Sequence, residues 1–182
     1  MTETTTAPES EAPGALTTLL QQQFSDTLLD FHNHRGDETV RIKRGAIVPV
    51  CQFLRDDPRC KFELMVDLTA VDYFEQGRDP RFEVVYHFKS LAHGHRLRVK
   101  APVPEDDCRV DSIHELWKAV NWYERECWDM FGIEFTGHPN LTRLLMYEQF
   151  EGHPLRKDYP MDRQQPIMEL REIDERNQYG RA

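Results

Sequence analysis

The chain has 182 residues, room for one ordinary domain plus a tail, and a fold of that size buries about 70% of its unfolded surface. Its 32 acidic and 23 basic residues leave a net charge of -9, which excludes a general nucleic-acid binder. No apolar run approaches the ~18–20 residues of a transmembrane helix, and a charged fraction of 30% with a mean hydropathy of -0.69 keeps sizeable stretches outside any core.

Residues 1–14 (MTETTTAPESEAPG) carry no base and no apolar core, so residues 1–15 are expected to form a disordered tail, neither a secretion signal nor a transit peptide. Leu16, Leu19, Leu20, Phe24, Leu28 and Phe31 recur at three- and four-residue steps and predict an amphipathic helix. A short strand is expected around 40–42 and a helix over about 50–55. The stretch FELMVDLTAVD at 62–72 is a near-continuous apolar run with β-branched members and predicts a buried strand.

Asp79-Pro80 signals a turn. Phe82, Val84, Tyr86 and Phe88 then alternate with other residues, as do Leu97, Val99 and Ala101, and together these strands predict a meander. Arg96, Arg98 and Lys100 share one strand face, read as solvated rather than RNA-contacting. Pro102 and Pro104 close the sheet, and Asp111-Ser112 offers an N-cap for a helix over 112–131. The order of elements predicts a two-layer α+β domain over residues 16–132.

In that last helix Ile113, Leu116, Trp117, Val120, Cys127 and Phe131 form one stripe. Glu124 lies inside it, about 20° from Ile113 and Phe131 on a helical wheel. A carboxylate there is either paired with a buried cation or partly protonated. A core ion pair with an arginine of the sheet is the simpler expectation, a proton-transfer role the sharper one. Lys118, Trp122, Arg125 and Asp129 fall on the opposite face, with Arg125 and Asp129 spaced as an i,i+4 pair. An indole on a polar face points to an interface.

Cys51, Cys60, Cys108 and Cys127 contain no Cys-x-x-Cys, which argues against a zinc ribbon or an iron–sulfur binding loop and fits reduced thiols in the cytoplasm. Beyond Gly132, Pro139, Pro154, Pro160 and Pro166 forbid long helices and central strands. Residues 133–182 are expected to be an extended, partner-wrapping segment, whose last stretch alone could reach roughly 100 Å at about 3.3 Å per residue. Gly-His-Pro occurs twice there, at His138-Pro139 and His153-Pro154. Glycine before and proline after each histidine make a turn without further chemistry. A metal or acid–base pair is the alternative, in a stand-alone His-dependent metalloenzyme. It lacks spaced partners, since His32, His34, His93 and His95 lie in other regions.

The stretches ERECWDMFGIEFTGHPNLTRLLM (124–146) and EGHPLRKDYP (151–160) resemble the C subunit, or 30 kDa subunit family, of proton-translocating NADH–quinone oxidoreductase, respiratory complex I. They cover about a fifth of the chain. The resemblance implies a two-layer fold with a mixed sheet and a non-redox structural role in the hydrophilic arm, on the cytoplasmic face of the bacterial membrane. It also implies docking on the D subunit, the large one at the quinone site, near the B subunit. FMN and iron–sulfur clusters would belong to the complex and none to this chain, which would have no catalytic site of its own. Related membrane-bound hydrogenase or plastid-type complexes are the alternative setting.

Carried over by position, the subunit-interface residues are Trp122, Glu124, Arg125, Glu126, Asp129, His138, Pro139, His153, Pro154, Arg156, Lys157, Asp158 and Tyr159, with Phe131, Gly132, Gly152 and Leu155 also matching the motif. Arg156 and Lys157, beside Asp158, are the expected charged anchors. Thr142 and Tyr147 depart from a pattern that usually has a basic residue and a proline there, which puts a specific contact at Thr142 in question.

Overall fold

The computed structural model of the protein describes residues 12–167. Most of the tail expected at 1–15, and residues 168–182 of the C-terminal segment, lie outside them. The elements are α1 (Ala15–Gln23), β1 (Leu28–His34), β2 (Asp37–Ile42), α2 (Ile47–Asp56), β3 (Leu64–Asp72), β4 (Phe82–Lys89), β5 (Arg96–Val103), β6 (Arg109–Asp111), α3 (Val120–Phe131) and β7 (Glu134–Thr136). Five strands form one mixed sheet in the order β1-β2-β5-β4-β3, in which β2 and β5 run parallel and the other neighbours antiparallel. The short strands β6 and β7 pair in parallel, with α3 as the crossover between them. This is the expected α+β class with a mixed sheet.

One face of the sheet carries Val40, Ile42, Leu68, Val84, Tyr86, Phe88, Leu97, Val99 and Ala101, which join Leu16 and Leu20 of α1, Ile47 to Leu54 of α2, and Val120 to Phe131 of α3 in a single core. By the strand alternation the other face carries Asp67, Glu83, His87, Arg98 and Lys100. Charged partners shield what is buried there: Glu83, 2% exposed, takes Arg41 at 2.9 Å and Lys100 at 3.1 Å.

Three sequence expectations need correction. The first helix stops at Gln23, and Leu28 and Phe31 belong to β1, where Phe31 faces Val40 across the ladder. Their three-residue spacing mimics a helix, but Ser25, Asp26 and Thr27 break it, and Arg35-Gly36, both at positive φ, close a tight β1–β2 hairpin. Strand β3 is not buried on both faces: it is the sheet edge, with Leu64, Val66 and Val71 exposed and only alternate residues in the core. Finally, α3 starts at Val120 rather than 112. Ser112 still continues the β6–β7 pairing through its N–H to the Thr136 carbonyl, and 113–119 pass through tight turns.

Candidate functional site

The residues that follow α3 fold back on their own domain and lock it at three places. The first is Asp129. It was expected on the polar face beside Arg125, yet it is 0% exposed, because residues 143–146 cover it. Its Oδ2 accepts the consecutive backbone N–H groups of Leu144 (3.0 Å), Leu145 (2.8 Å) and Met146 (2.9 Å), and Oδ1 accepts Arg143 Nη1 at 2.6 Å. Three N–H groups on one oxygen form an anion nest. Burial pushes this carboxyl up, but the nest and Arg143 outweigh it and hold it below the usual carboxylate range. Arg143 also donates to the carbonyls of Phe150 and Gly152, so one guanidinium spans helix and segment.

The second place is the C-terminus of α3. An α-helix leaves its last four carbonyls without internal partners. Here all four are taken: Trp128 by the Gly132 N–H (2.8 Å), Asp129 by His153 Nδ1 (3.0 Å), Met130 by the Leu155 N–H (3.0 Å) and Phe131 by Arg156 Nε (2.6 Å). Arg156 thereby puts a cation at the negative end of the helix dipole, stacked over Phe82 at 5.1 Å. Gly132 permits the approach. Its φ is +73°, and a Cβ there would stand 2.6 Å from the His153 ring.

The third place joins the segment to the sheet. Arg81, buried at the start of β4, holds Asp72 with Nε and Nη2 (2.9 and 2.8 Å) and Asp158 with Nη2 and Nη1 (2.7 and 3.1 Å). The Lys157 N–H adds a bond to Asp72 Oδ2 at 2.8 Å. Burial raises Asp72, but its bonds from Arg81, Lys157 and Phe74 leave it below its ordinary value; the Arg81 bonds do the same for Asp158. These paired guanidinium forks are strong, oriented contacts.

The two Gly-His-Pro turns serve this closure. Gly137 and Gly152 adopt φ of +86° and +92°. His138 donates from Nε2 to the Asn121 carbonyl at 3.2 Å while its Nδ1 accepts the Asn140 N–H at 3.1 Å, a pattern that fixes the neutral tautomer. Burial lowers the pKa of both His138 and His153. The carbonyls they hold are eight residues apart on α3, ~12 Å at the helical rise, so the two rings dock on separate turns. Among the described residues no three His, Cys, Asp or Glu side chains gather in a metal-ligating group.

Glu124 is 0% exposed, as its wheel position requires, but the expected arginine is replaced by polar neighbours. The Ser112 hydroxyl donates to Oε2 at 2.5 Å and the Ile113 N–H to Oε1 at 2.8 Å, and among the described residues no cation pairs with it. Desolvation dominates and, against those two bonds, pushes the carboxyl up to about 7. Ser112 passes the contact on to His114 Nδ1 (3.2 Å), whose Nε2 meets Glu115 at the surface (2.6 Å).

The other expected site residues fall on the outside of the closure. Trp122 is 58% exposed with Arg125 5.0 Å over its ring; Glu126, Pro139 and the Lys157 side chain are exposed, and Pro154 is half-buried. Arg125 does not pair with Asp129; it donates to the backbone carbonyls of Thr142 and Arg143 at 3.1 and 3.0 Å. That contact uses the Thr142 main chain and does not depend on the side chain at that position. Tyr147 packs edge-on against Phe150 and donates to the Pro166 carbonyl at 2.7 Å. Tyr159 stacks on Phe150, 6.1 Å away. Ser112, Asp72, Arg81 and Arg143 were missed by sequence reasoning. A signal existed only for the pair at the sheet end, where charged residues close one apolar strand and open the next.

These features define an α+β domain with a mixed sheet, closed over its last helix by its own C-terminal segment. Residues 40–165 match the family described as the respiratory-chain NADH dehydrogenase 30 Kd subunit. The NADH-quinone oxidoreductase C subunit of Citrifermentans bemidjiense is 51% identical over 142 residues, 78% of this chain and 86% of that one. The corresponding protein of Roseiflexus castenholzii is also 51% identical, over 78% of this chain and 80% of its own. Among solved structures, a trypsin-resistant fragment of Nqo5 superposes with a TM-score of 0.61 at 30% identity, covering 69% of this chain and 98% of the fragment. The chain belongs to the 30 kDa subunit family of respiratory-chain NADH dehydrogenase. No helix among the described residues is long and apolar enough to cross a membrane.

Proposed function

We propose that this chain is a non-redox structural subunit of a proton-translocating NADH–quinone oxidoreductase. It docks on the large quinone-site D subunit, near the B subunit, in the hydrophilic arm at the cytoplasmic face of a bacterial membrane. Electrons pass from NADH through FMN and iron–sulfur clusters carried by other subunits to quinone. Cys51, Cys60, Cys108 and Cys127 belong to no group of three or more His, Cys, Asp or Glu side chains placed to hold a metal among the described residues, which supports the non-redox reading.

The observation that carries the docking reading is the outer surface of the closure. The segment turns Arg143, His153, Arg156 and its 144–146 N–H groups inward on α3, and Asp158 on Arg81, while Trp122 of α3 (58%) and Leu145 (57%) and Leu155 (51%) of the segment stay exposed. Large apolar and aromatic side chains held outward on a rigid base are what an interface core needs. On this reading the part of 133–182 beyond β7, with Trp122 of α3, contacts the partner, and the domain over 16–132, completed by β7, presents it.

Trp122→Asp combined with Leu145→Asp tests the reading. The isolated double variant keeps its thermal midpoint, because neither side chain is in the core, while its recovery with the oxidoreductase from membranes falls sharply. Unchanged recovery would refute docking through this surface.

A further inference from the structure

The outer face of the sheet, remote from the closure on α3, carries a second feature. Arg96, Arg98 and Lys100 alternate along β5, and the register sets Lys89 of β4 directly beside Arg96. Lys100 has Glu83 as a partner. Among the described residues Arg98 reaches only the Thr39 hydroxyl, at 3.1 Å, and neither Lys89 nor Arg96 has a carboxylate within 4.0 Å. In a chain with nine more acids than bases, three adjacent cations that pair with no carboxylate of the described residues stand out. They line a depression of about 500 Å³ whose rim includes the exposed Leu64 and Val66, at the β3 bulge.

The surroundings narrow the choice of occupant. Asp67 on β3 and Asp37 at the start of β2 flank the stripe, and His87 lies between Asp67 and Arg98 in one row of the ladder. Glu38, also on the rim, is committed to the N-terminus of α1 through Leu16 N, Thr17 N and the Thr17 hydroxyl. The flanking carboxylates and the net charge oppose a long polyanion such as nucleic acid. Successive cations on β5 are ~6.7 Å apart, the spacing of alternate residues in an extended chain. We propose that this groove is a second docking surface, which receives an extended segment of another subunit with carboxylates at alternate positions and an apolar side chain against Leu64 and Val66. The proposal rests on membership of the assembly proposed above.

The test uses the assembly purified from source membranes and the isolated full chain. Lys89 and the exposed Lys118 are acetylated in both. Lys89 is expected to be shielded about tenfold in the assembly relative to the isolated chain, the effect of a contact worth ~1.4 kcal/mol, with no shielding when the chain is alone. A zero-length carbodiimide coupling should then join Lys89 to an Asp or Glu of a different subunit. Arg96→Glu with Arg98→Glu should leave the isolated fold intact and reduce incorporation. A chain that co-purifies with Lys89 as reactive as in isolation overturns the groove and leaves the assembly standing. Shielding already present in the isolated chain, or coupling of Lys89 to residues 1–15 of the same chain or to a second copy, also overturns it. So does full incorporation of the charge-reversed variant. Failure of the chain to co-purify at all overturns the assembly reading, and the groove with it.

Discussion

Glu124→Gln should make the protein more stable at neutral pH, and by an amount that grows with pH. In the folded chain the fully buried carboxyl is pushed up from 4.5 to about 7, because desolvation outweighs the bonds from Ser112 and Ile113. Between those two values the folded state holds a proton that the unfolded state has lost. Unfolding free energy therefore falls as pH rises from 4.5 to 7 and stays low above. At ~1.4 kcal/mol per unit the loss is on the order of 3 kcal/mol. Glutamine resembles the protonated acid in shape, can accept the Ile113 N–H, and never ionises. Urea unfolding of both proteins at steps from pH 4.5 to 8 isolates the effect as a difference. The two should match within about 1 kcal/mol at pH 4.5 and diverge to ~3 kcal/mol at pH 8 in favour of the variant. Parallel curves would mean that Glu124 ionises without penalty, and would refute the picture of a buried carboxyl with no cation.

Asp129→Ala removes the acceptor of three N–H groups and strands Arg143 at the interface. A loss of about 3–5 kcal/mol is expected, with early proteolytic cleavage in 137–152 while the sheet stays resistant. Asp72 and Asp129 both titrate below the ordinary carboxylate value, so the stability they contribute is present above that value and is lost as pH falls below it and through their lower folded-state values; an acid unfolding series should show cleavage near 144 before global unfolding. Gly132→Ala forces a left-handed alanine against His153, costs at least about 1–2 kcal/mol and shifts the His153 ring resonances. Arg156→Ala loses a charge-assisted cap on Phe131 and lowers stability of the isolated chain by about 1.5–3 kcal/mol, whereas Lys157→Ala leaves it within about 0.5 kcal/mol and weakens assembly.

What could be read from the sequence followed from periodicity. The apolar alternation of 82–88 and 97–101 becomes β4 and β5, and the α3 stripe correctly buries Glu124 among Val120, Cys127 and Phe131. The start of α3 was hidden because Ile113, Leu116 and Trp117 keep a helical spacing. Capture of Ser112 and Ile113 by Glu124 selects turns instead, a competition of side-chain and backbone hydrogen bonds that periodicity does not carry. Asp129 was misplaced for a different reason. Its cover comes from residues 14 to 17 positions later, with no helical or strand register to announce it. The turns at His138 and His153 were legible from glycine and proline chemistry, but their targets on α3 are set by tertiary folding. The family was legible from two contiguous stretches, 124–146 and 151–160, which also supply the α3 helix and most of the segment that closes over it.

The most direct measurement is a native pull-down from membranes of the source cell with this chain as bait. The co-purifying subunits are identified by mass, and NADH-dependent quinone reduction is assayed in the same eluate. A large assembly containing flavin and iron–sulfur clusters, active with NADH and no longer recovered when the bait carries Trp122→Asp with Leu145→Asp, is the predicted result. Recovery of the chain alone, or within an assembly that reduces quinone only from another donor, would contradict the account.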